Sequence, residues 1–228
     1  MSVFDTQSFI RGIDVLPERP TVERRILEAL QANTPRIPVL LGGCGSGKTT
    51  LLQRTSALLG DGQSQYVDTE RITSTPEGLL TSLTEDSPYP HGQSEHDLIH
   101  ASHQTPRNAF NALLGFLRQD TRAPSNRPIF LFDEALALRT LESFPGLRGV
   151  LREFLTGLST SHNRFVISSR YVNRTLRLIR DLPDKFEVIH ISPLSHDETS
   201  AVLDHHDIGS DAHETSDLAR IVHALSDG

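Results

Sequence analysis

The sequence predicts an α/β fold in which a five-stranded parallel sheet is covered by helices on both faces. Short apolar runs alternate along the chain with longer segments whose apolar residues recur at helical spacing. This alternation predicts βαβ units, and therefore parallel strands. Several of the apolar runs have no polar face, which is typical of strands that are buried on both sides.

The first part of the chain predicts three helices and two strands. Pro20 and Thr21 begin a helical pattern that Thr34-Pro35 interrupts. The wholly apolar run that follows is predicted as a buried strand, and Gly60 ends the helix after it. In order, these elements are helix 22–30, strand 37–41, helix 48–59, strand 65–68 and a short helix over 75–83.

The rest of the chain repeats the alternation. Apolar stripes at helical spacing predict the helices, and apolar runs predict the strands. Two helical patterns lie beyond the last strand, so we expect them to form a separate small subdomain. The elements are helix 108–118, strand 128–132, helix 145–158, strand 165–167, helix 171–181, strand 186–191 and helices 195–204 and 215–226.

Length and composition limit the possible organisation. With 228 residues, of which 36% are hydrophobic, the chain can bury a core in one large domain, or in one domain plus part of another. Residues 1–19 are predicted as an irregular lead-in and residues 20–193 as the core. Residues 84–105 are polar and rich in proline, glycine and histidine, which predicts an exposed insertion. The net charge of −7 excludes a globally basic nucleic-acid-binding surface but leaves a local one open.

The sequence also favours a cytoplasmic protein. No apolar run approaches the roughly 20 residues of a membrane helix, and the N-terminus has no apolar segment of a secretory signal. Cys44 is the single cysteine, which excludes an intrachain disulfide and fits a reducing compartment.

A glycine-rich loop carries the strongest functional signal. Residues 42–49 match the phosphate-binding pattern G-x-x-x-x-G-K-[ST], between an apolar strand and a helix. Glycines let successive backbone N–H groups face phosphate oxygens, Lys48 reaches the β- and γ-phosphates, and the Thr49 hydroxyl binds Mg²⁺. We therefore predict binding of ATP and Mg²⁺ by Gly42, Gly43, Cys44, Gly45, Ser46, Gly47, Lys48, Thr49 and Thr50.

Two further strands end in polar residues. Four apolar residues precede Asp133 and Glu134, so a buried strand delivers two carboxylates to the edge of the sheet where ligands bind. We expect Asp133 to hold Mg²⁺ through water and Glu134 to act as general base on the attacking water. The strand before Tyr171 ends in Ser168, Ser169 and Arg170, which predicts contact with the γ-phosphate or the attacking water. The alternative for Ser169 is a helix cap.

These three motifs together resemble the AAA+ and STAND branch of P-loop ATPases, which includes origin-recognition-type initiators. The resemblance spans about residues 20–228. It implies sensor-1 roles for Ser168, Ser169 and Arg170, and it implies that residues 194–228 begin a helical lid that stops short of the sensor-2 motif. The adenine-side motif of the family is poorly matched by residues 9–12.

The resemblance predicts an ATP-hydrolysing conformational switch. A regulatory module that binds nucleotide with little turnover is the alternative, and Glu134→Gln separates the two. A small-molecule kinase is disfavoured by the acid pair, and an ABC-type ATPase by the lack of a Leu-Ser-Gly-Gly-Gln string.

Two weaker features leave partners open. Arg170, Arg174 and Arg177 are expected on one helical face, which fits a solvated surface, self-association, or contact with a protein or DNA partner. Four histidines in the insertion favour a polar loop over a metal site, because no cysteine joins them: His91, His96, His100 and His103.

Overall fold

The computed structural model describes residues 19–32, 34, 36–60, 62–89, 105–118, 127–182, 185–205 and 217–222. The helices are α1 (Pro20–Gln31), α2 (Lys48–Leu59), α3 (Thr69–Ile72), α4 (Pro76–Glu85), α5 (Pro106–Arg118), α6 (Val150–Thr160), α7 (Val172–Ile179) and α8 (His196–His205). The strands are β1 (Ile37–Leu41), β2 (Ser64–Asp68), β3 (Ile129–Asp133), β4 (Arg164–Ser169) and β5 (Phe186–His190). A 3₁₀ helix spans Ala135–Ser143, and residues 217–222 are helical.

The five strands form one parallel sheet in the order β2-β3-β4-β1-β5. Helices pack on both of its faces, which confirms the predicted fold class. Successive side chains of a strand point to opposite faces of the sheet. In β3, Phe130 and Phe132 pack in one apolar cluster, and Ile129 and Leu131 pack in the other. The first cluster also contains side chains of α4, α5 and α6, and the second contains side chains of α1 and α2.

The region before α6 differs from the prediction. A helix was expected over 145–158, but Gly146 and Gly149 both have positive φ, so α6 begins only after Gly149. Leu147 still packs in the core from the intervening turn. The 3₁₀ helix was not predicted, although its residues Leu138 and Leu141 are fully buried.

The start of the insertion predicted over 84–105 is also wrong. Thr84 is buried in the last turn of α4, where its hydroxyl donates to Leu80 O. The ring of Tyr89 packs edge-on against Phe130, and its hydroxyl bonds both backbone groups of Ile129. Burial of this aromatic ring keeps the chain on the core as far as Tyr89. The rest of the insertion up to 104, with its four histidines, lies outside the described residues, as does the lead-in over 1–18.

The segment after β5 is joined closely to the core. Ile191 N donates to Leu41 O, which extends the β5–β1 pairing past the strand end. Ser195 then starts α8 with a reciprocal capping box, because its hydroxyl accepts from Glu198 N and its own N–H donates to the Glu198 carboxylate. None of the described helices is both long and apolar enough to cross a bilayer.

Candidate functional site

The strand order brings all three motifs together at the carboxyl-terminal edge of the sheet. Because β4 lies between β1 and β3, its end separates the glycine loop from the two acids. The register places Leu41 beside Ser169 and Phe132 beside Ile167. Ser168 is therefore the neighbour of Asp133 across the sheet.

The glycine loop curls at positions that only glycine adopts easily. Gly45 and Gly47 have φ values of 77° and 84°, and α2 starts directly after Gly47. A Cβ atom on Gly42 would lie 2.4 Å from Ile191 O and 2.6 Å from Ser46 Oγ, so the loop passes too close to the end of β5 for a side chain. The loop thus presents backbone and the N-terminus of a 12-residue helix to the same space.

Lys48 is buried beneath this loop. Its Nζ donates to Gly43 O at 2.7 Å and to Ser46 Oγ at 3.4 Å, and it lies 3.9 Å from Glu134 Oε1. The single cation of the loop is thereby placed between the loop backbone and Glu134, the acid that follows β3. Thr50, in the first turn of α2, lines the same open cavity as Lys48.

Asp133 is held by hydroxyl donors from three different elements. The hydroxyls of Thr49 and Tyr66 donate to Oδ2 at 2.7 Å and 2.9 Å, and the Ser168 hydroxyl donates to Oδ1. Asp133 is only 4% exposed, so its orientation depends on these bonds. Burial and the neighbouring Asp133 charge raise the pKa of Tyr66, so its phenol remains a donor.

These oxygen atoms fit a magnesium ion. Mg²⁺ prefers oxygen ligands and usually keeps several waters, and the site offers one hydroxyl and one carboxylate. The Thr49 hydroxyl donates its hydrogen to Asp133, so the lone pairs of its oxygen are available to a cation.

Glu134 has an unusual backbone conformation. Its φ of 49° is the only positive value of a non-glycine residue among the described residues. Such strain often marks functional sites. Glu134 N donates to Ser168 Oγ at 2.9 Å, while its carboxylate accepts from Arg170 N at 3.1 Å. Ser168 therefore contacts both acids at once.

Arg170 is surrounded by acidic and aromatic groups. It donates to Glu70 and lies 3.6 Å from Glu134 Oε2, and its guanidinium lies 5.5 Å from the ring centroid of Tyr171. The hydrogen bond to Glu70 is the main cause that raises the pKa of Arg170 above its usual value. Ser169 accepts from Tyr171 N at 3.0 Å in the turn before α7, so it orders this turn without capping the helix itself.

The expected face of three arginines is only partly formed. Arg170 precedes α7, which begins at Val172, whereas Arg174 and Arg177 are exposed on the helix. Arg170, in the turn before the helix, is thus separate from the two exposed arginines on α7.

One open cavity of about 1380 Å³ is bordered by residues 44–50 of the loop and α2 and by Tyr66, Glu70, Asp133, Glu134 and Arg170. Gly42, Gly43, Ser168 and Ser169 do not line it. Leu194 and Arg19 also line it, and Arg19 donates to Ser192 O at 2.8 Å. Sequence reasoning missed Tyr66 and Glu70. The only signal for Tyr66 is its place on β2, two residues before Asp68, which pairs with Asp133.

Comparison with known proteins finds similarity in structure only. No protein-family model matches the chain, and no curated protein matches its sequence. The Walker-type ATPase of Pyrococcus abyssi superposes with a TM-score of 0.60 at 18% identity, over 89% of this chain and 62% of that one. The ORC1 protein of Aeropyrum pernix, solved in complex with DNA, gives a TM-score of 0.55 at 18% identity, over 85% and 50%. The chain thus spans about half to three fifths of the length of these proteins, and it shares with them the α/β fold of a P-loop ATPase core.

Proposed function

We propose that this chain binds ATP with Mg²⁺ and hydrolyses the bond between its β- and γ-phosphates. One observation carries the proposal: the loop lysine Lys48, the bonded pair Thr49–Asp133 and the strained Glu134 border the same cavity, at the edge of the sheet where ligands bind.

The loop and the N-terminus of α2 are the proposed binding site for the phosphates. The left-handed glycines and the start of α2 supply backbone N–H donors, and Lys48 supplies the positive charge. Lys48 now bonds Gly43 O, so in this proposal it exchanges a carbonyl oxygen for phosphate oxygens.

Thr49 and Asp133 are the proposed magnesium ligands, with Asp133 acting through water. When bound, Mg²⁺ neutralises charge that develops on the β- and γ-phosphate oxygens. Ser168 keeps Asp133 in place and also fixes the backbone of Glu134, so we assign it a positioning role.

Glu134 is the proposed general base. It takes the proton of a water whose oxygen attacks the γ-phosphorus, while the bond to the β-phosphate oxygen breaks and ADP leaves. Arg170 lies 3.6 Å from Glu134 and lines the same cavity, so in this proposal it joins Lys48 in stabilising charge on the γ-phosphoryl oxygens.

The segment after β5 supports a switch. Leu194 lines the cavity and leads directly into α8, so a change of nucleotide at the loop changes what this segment packs against. Residues 194–228 are the proposed start of a lid. The exposed Arg174 and Arg177 on α7 are the proposed contact for a second copy, a protein or DNA, and the exposed free thiol of Cys44 fits a cytoplasmic setting.

Glu134→Gln tests this proposal, with Glu142→Gln as the matched control. Glu142 lies on the neighbouring 3₁₀ helix and pairs with Arg139 at 3.8 Å. We expect Glu134→Gln to lose at least 100-fold in ATP turnover while it retains ATP affinity, and Glu142→Gln to behave as the unmodified protein. If the unmodified protein binds ATP without turnover, the low-turnover regulatory module is correct and hydrolysis is not.

A further inference from the structure

We propose that Tyr66 is a positioning residue that holds the Asp133 carboxylate in the orientation that the cation requires. The inference rests on the proposed function, because Asp133 is one of the proposed magnesium ligands. It adds a residue from an edge strand to a site otherwise built from the glycine loop, β3 and β4.

The sheet register explains how Tyr66 reaches this site. Tyr66 pairs with Leu131, and Asp68 pairs with Asp133, so Tyr66 lies one strand away and two positions below the carboxylate. Side chains of Tyr66, Leu131 and Asp133 project from the same face, the one that α2 covers. A tyrosine is long enough to bridge this offset, and its hydroxyl lies 2.9 Å from Asp133 Oδ2.

Of the two hydroxyls that donate to Asp133 Oδ2, the Tyr66 phenol is the one that is not itself a proposed cation ligand. Oδ2 accepts from both Thr49 and Tyr66, but Thr49 is itself a proposed cation ligand. Any adjustment of Thr49 during cation binding therefore disturbs its bond to Oδ2. The Tyr66 ring packs against the apolar cluster on the α2 face, so its hydroxyl stays fixed while Thr49 adjusts.

The two oxygens of Asp133 are therefore fixed from opposite sides. Ser168 of β4 holds Oδ1, and Tyr66 of β2 holds Oδ2. Loss of either donor leaves the carboxylate with fewer bonds that oppose rotation about its terminal torsion, which is broad in the absence of partners. A rotating carboxylate must be ordered when the cation binds, and this ordering weakens binding.

The test compares Tyr66→Phe with Tyr171→Phe. The first substitution keeps the ring and removes the hydroxyl, and the second removes the hydroxyl of an exposed tyrosine that contributes its ring to Arg170. Binding of a fluorescent ATP analogue is measured in EDTA and then across a Mg²⁺ titration. We expect Tyr66→Phe to keep its affinity for the analogue in EDTA. The Mg²⁺ concentration that gives half of the Mg²⁺-induced gain in affinity should rise three- to tenfold. Tyr171→Phe should match the unmodified protein in both measurements.

The outcomes separate the two proposals. If the unmodified protein gains nothing from Mg²⁺, the proposed function fails. If it gains and Tyr66→Phe needs the same Mg²⁺ concentration, only the role of Tyr66 is overturned. If Tyr66→Phe no longer binds the analogue in EDTA, the tyrosine emission of Tyr171→Phe decides instead, since the chain has three tyrosines and no tryptophan. An emission change over the same Mg²⁺ range supports the inference, and unchanged emission contradicts it.

Discussion

Replacing Ser168 with alanine removes one oxygen atom from the centre of the site, and we expect a large loss of stability from it. The Ser168 side chain is fully buried, donates to Asp133 Oδ1 and accepts from Glu134 N at 2.9 Å. Both partners are left without this bond at a place where water has little access. A buried polar group without a partner costs about 1–3 kcal/mol.

Two such groups give an expected loss of about 2–4 kcal/mol in the free energy of unfolding, because neighbouring atoms relax in part. Ser159→Ala is the matched control, since Ser159 is only 1% exposed and donates at 2.8 Å to Thr156 O within its own helix. That carbonyl belongs to the helix, so we expect a loss of about 1 kcal/mol or less.

Urea unfolding of the three proteins, free of nucleotide and divalent cations, measures both differences. The double variant Ser168→Ala/Asp133→Asn refines the test, because residues in one hydrogen-bond network have non-additive effects. Equal losses for Ser168→Ala and Ser159→Ala, or strict additivity with Asp133→Asn, would show that Ser168 does not hold the two acids as described.

Two other predictions follow from the loop and from Arg170. Gly42→Ala should lower the free energy of unfolding by about 1–3 kcal/mol, because its Cβ would lie 2.4 Å from Ile191 O. Gly43→Ala, with open space around its Cβ, should change the free energy of unfolding by less than about 0.5 kcal/mol. Equal thermal unfolding of the two variants would contradict the close approach at Gly42. Arg170→Ala should lower ATP turnover at least tenfold, about 1.4 kcal/mol of transition-state stabilisation, with a modest loss of affinity. Arg174 is exposed on α7, so Arg174→Ala should leave ATP turnover unchanged. If a steady-state assay shows that Arg174→Ala loses turnover and Arg170→Ala does not, the catalytic arginine is wrongly assigned.

Local sequence patterns predicted the parts of the fold that depend on local chemistry. The wholly apolar run of β1 and the run before Asp133 reveal buried strands by composition alone, and the glycine loop is recognisable from spacing. The start of α6 was predicted too early because Leu147 fits the apolar stripe of a helix. In the structure Leu147 lies in a turn that contains two left-handed glycines, Gly146 and Gly149.

Non-local pairing explains what the sequence could not predict. Contact of Ser168 with Asp133, and of Tyr66 with the same carboxylate, depends on which strands are neighbours and in what register. Glu70 meets Arg170 across 100 residues of chain. The local sequence pattern predicts none of these pairs, whereas the spacing of the glycines and Lys48 predicts the phosphate loop.

Calorimetric ATP binding by Lys48→Ala and Lys185→Ala tests the central claim most directly. These are the only two lysines of the chain, and they lie at opposite ends of the sheet, since Lys185 O accepts from Ile37 N at the start of β1. With Mg²⁺ present, we predict that Lys48→Ala loses at least 100-fold in ATP affinity, about 2.7 kcal/mol, and that Lys185→Ala binds as the unmodified protein does. Equal ATP affinity of Lys48→Ala and the unmodified protein would contradict the account, because the phosphates would then bind elsewhere.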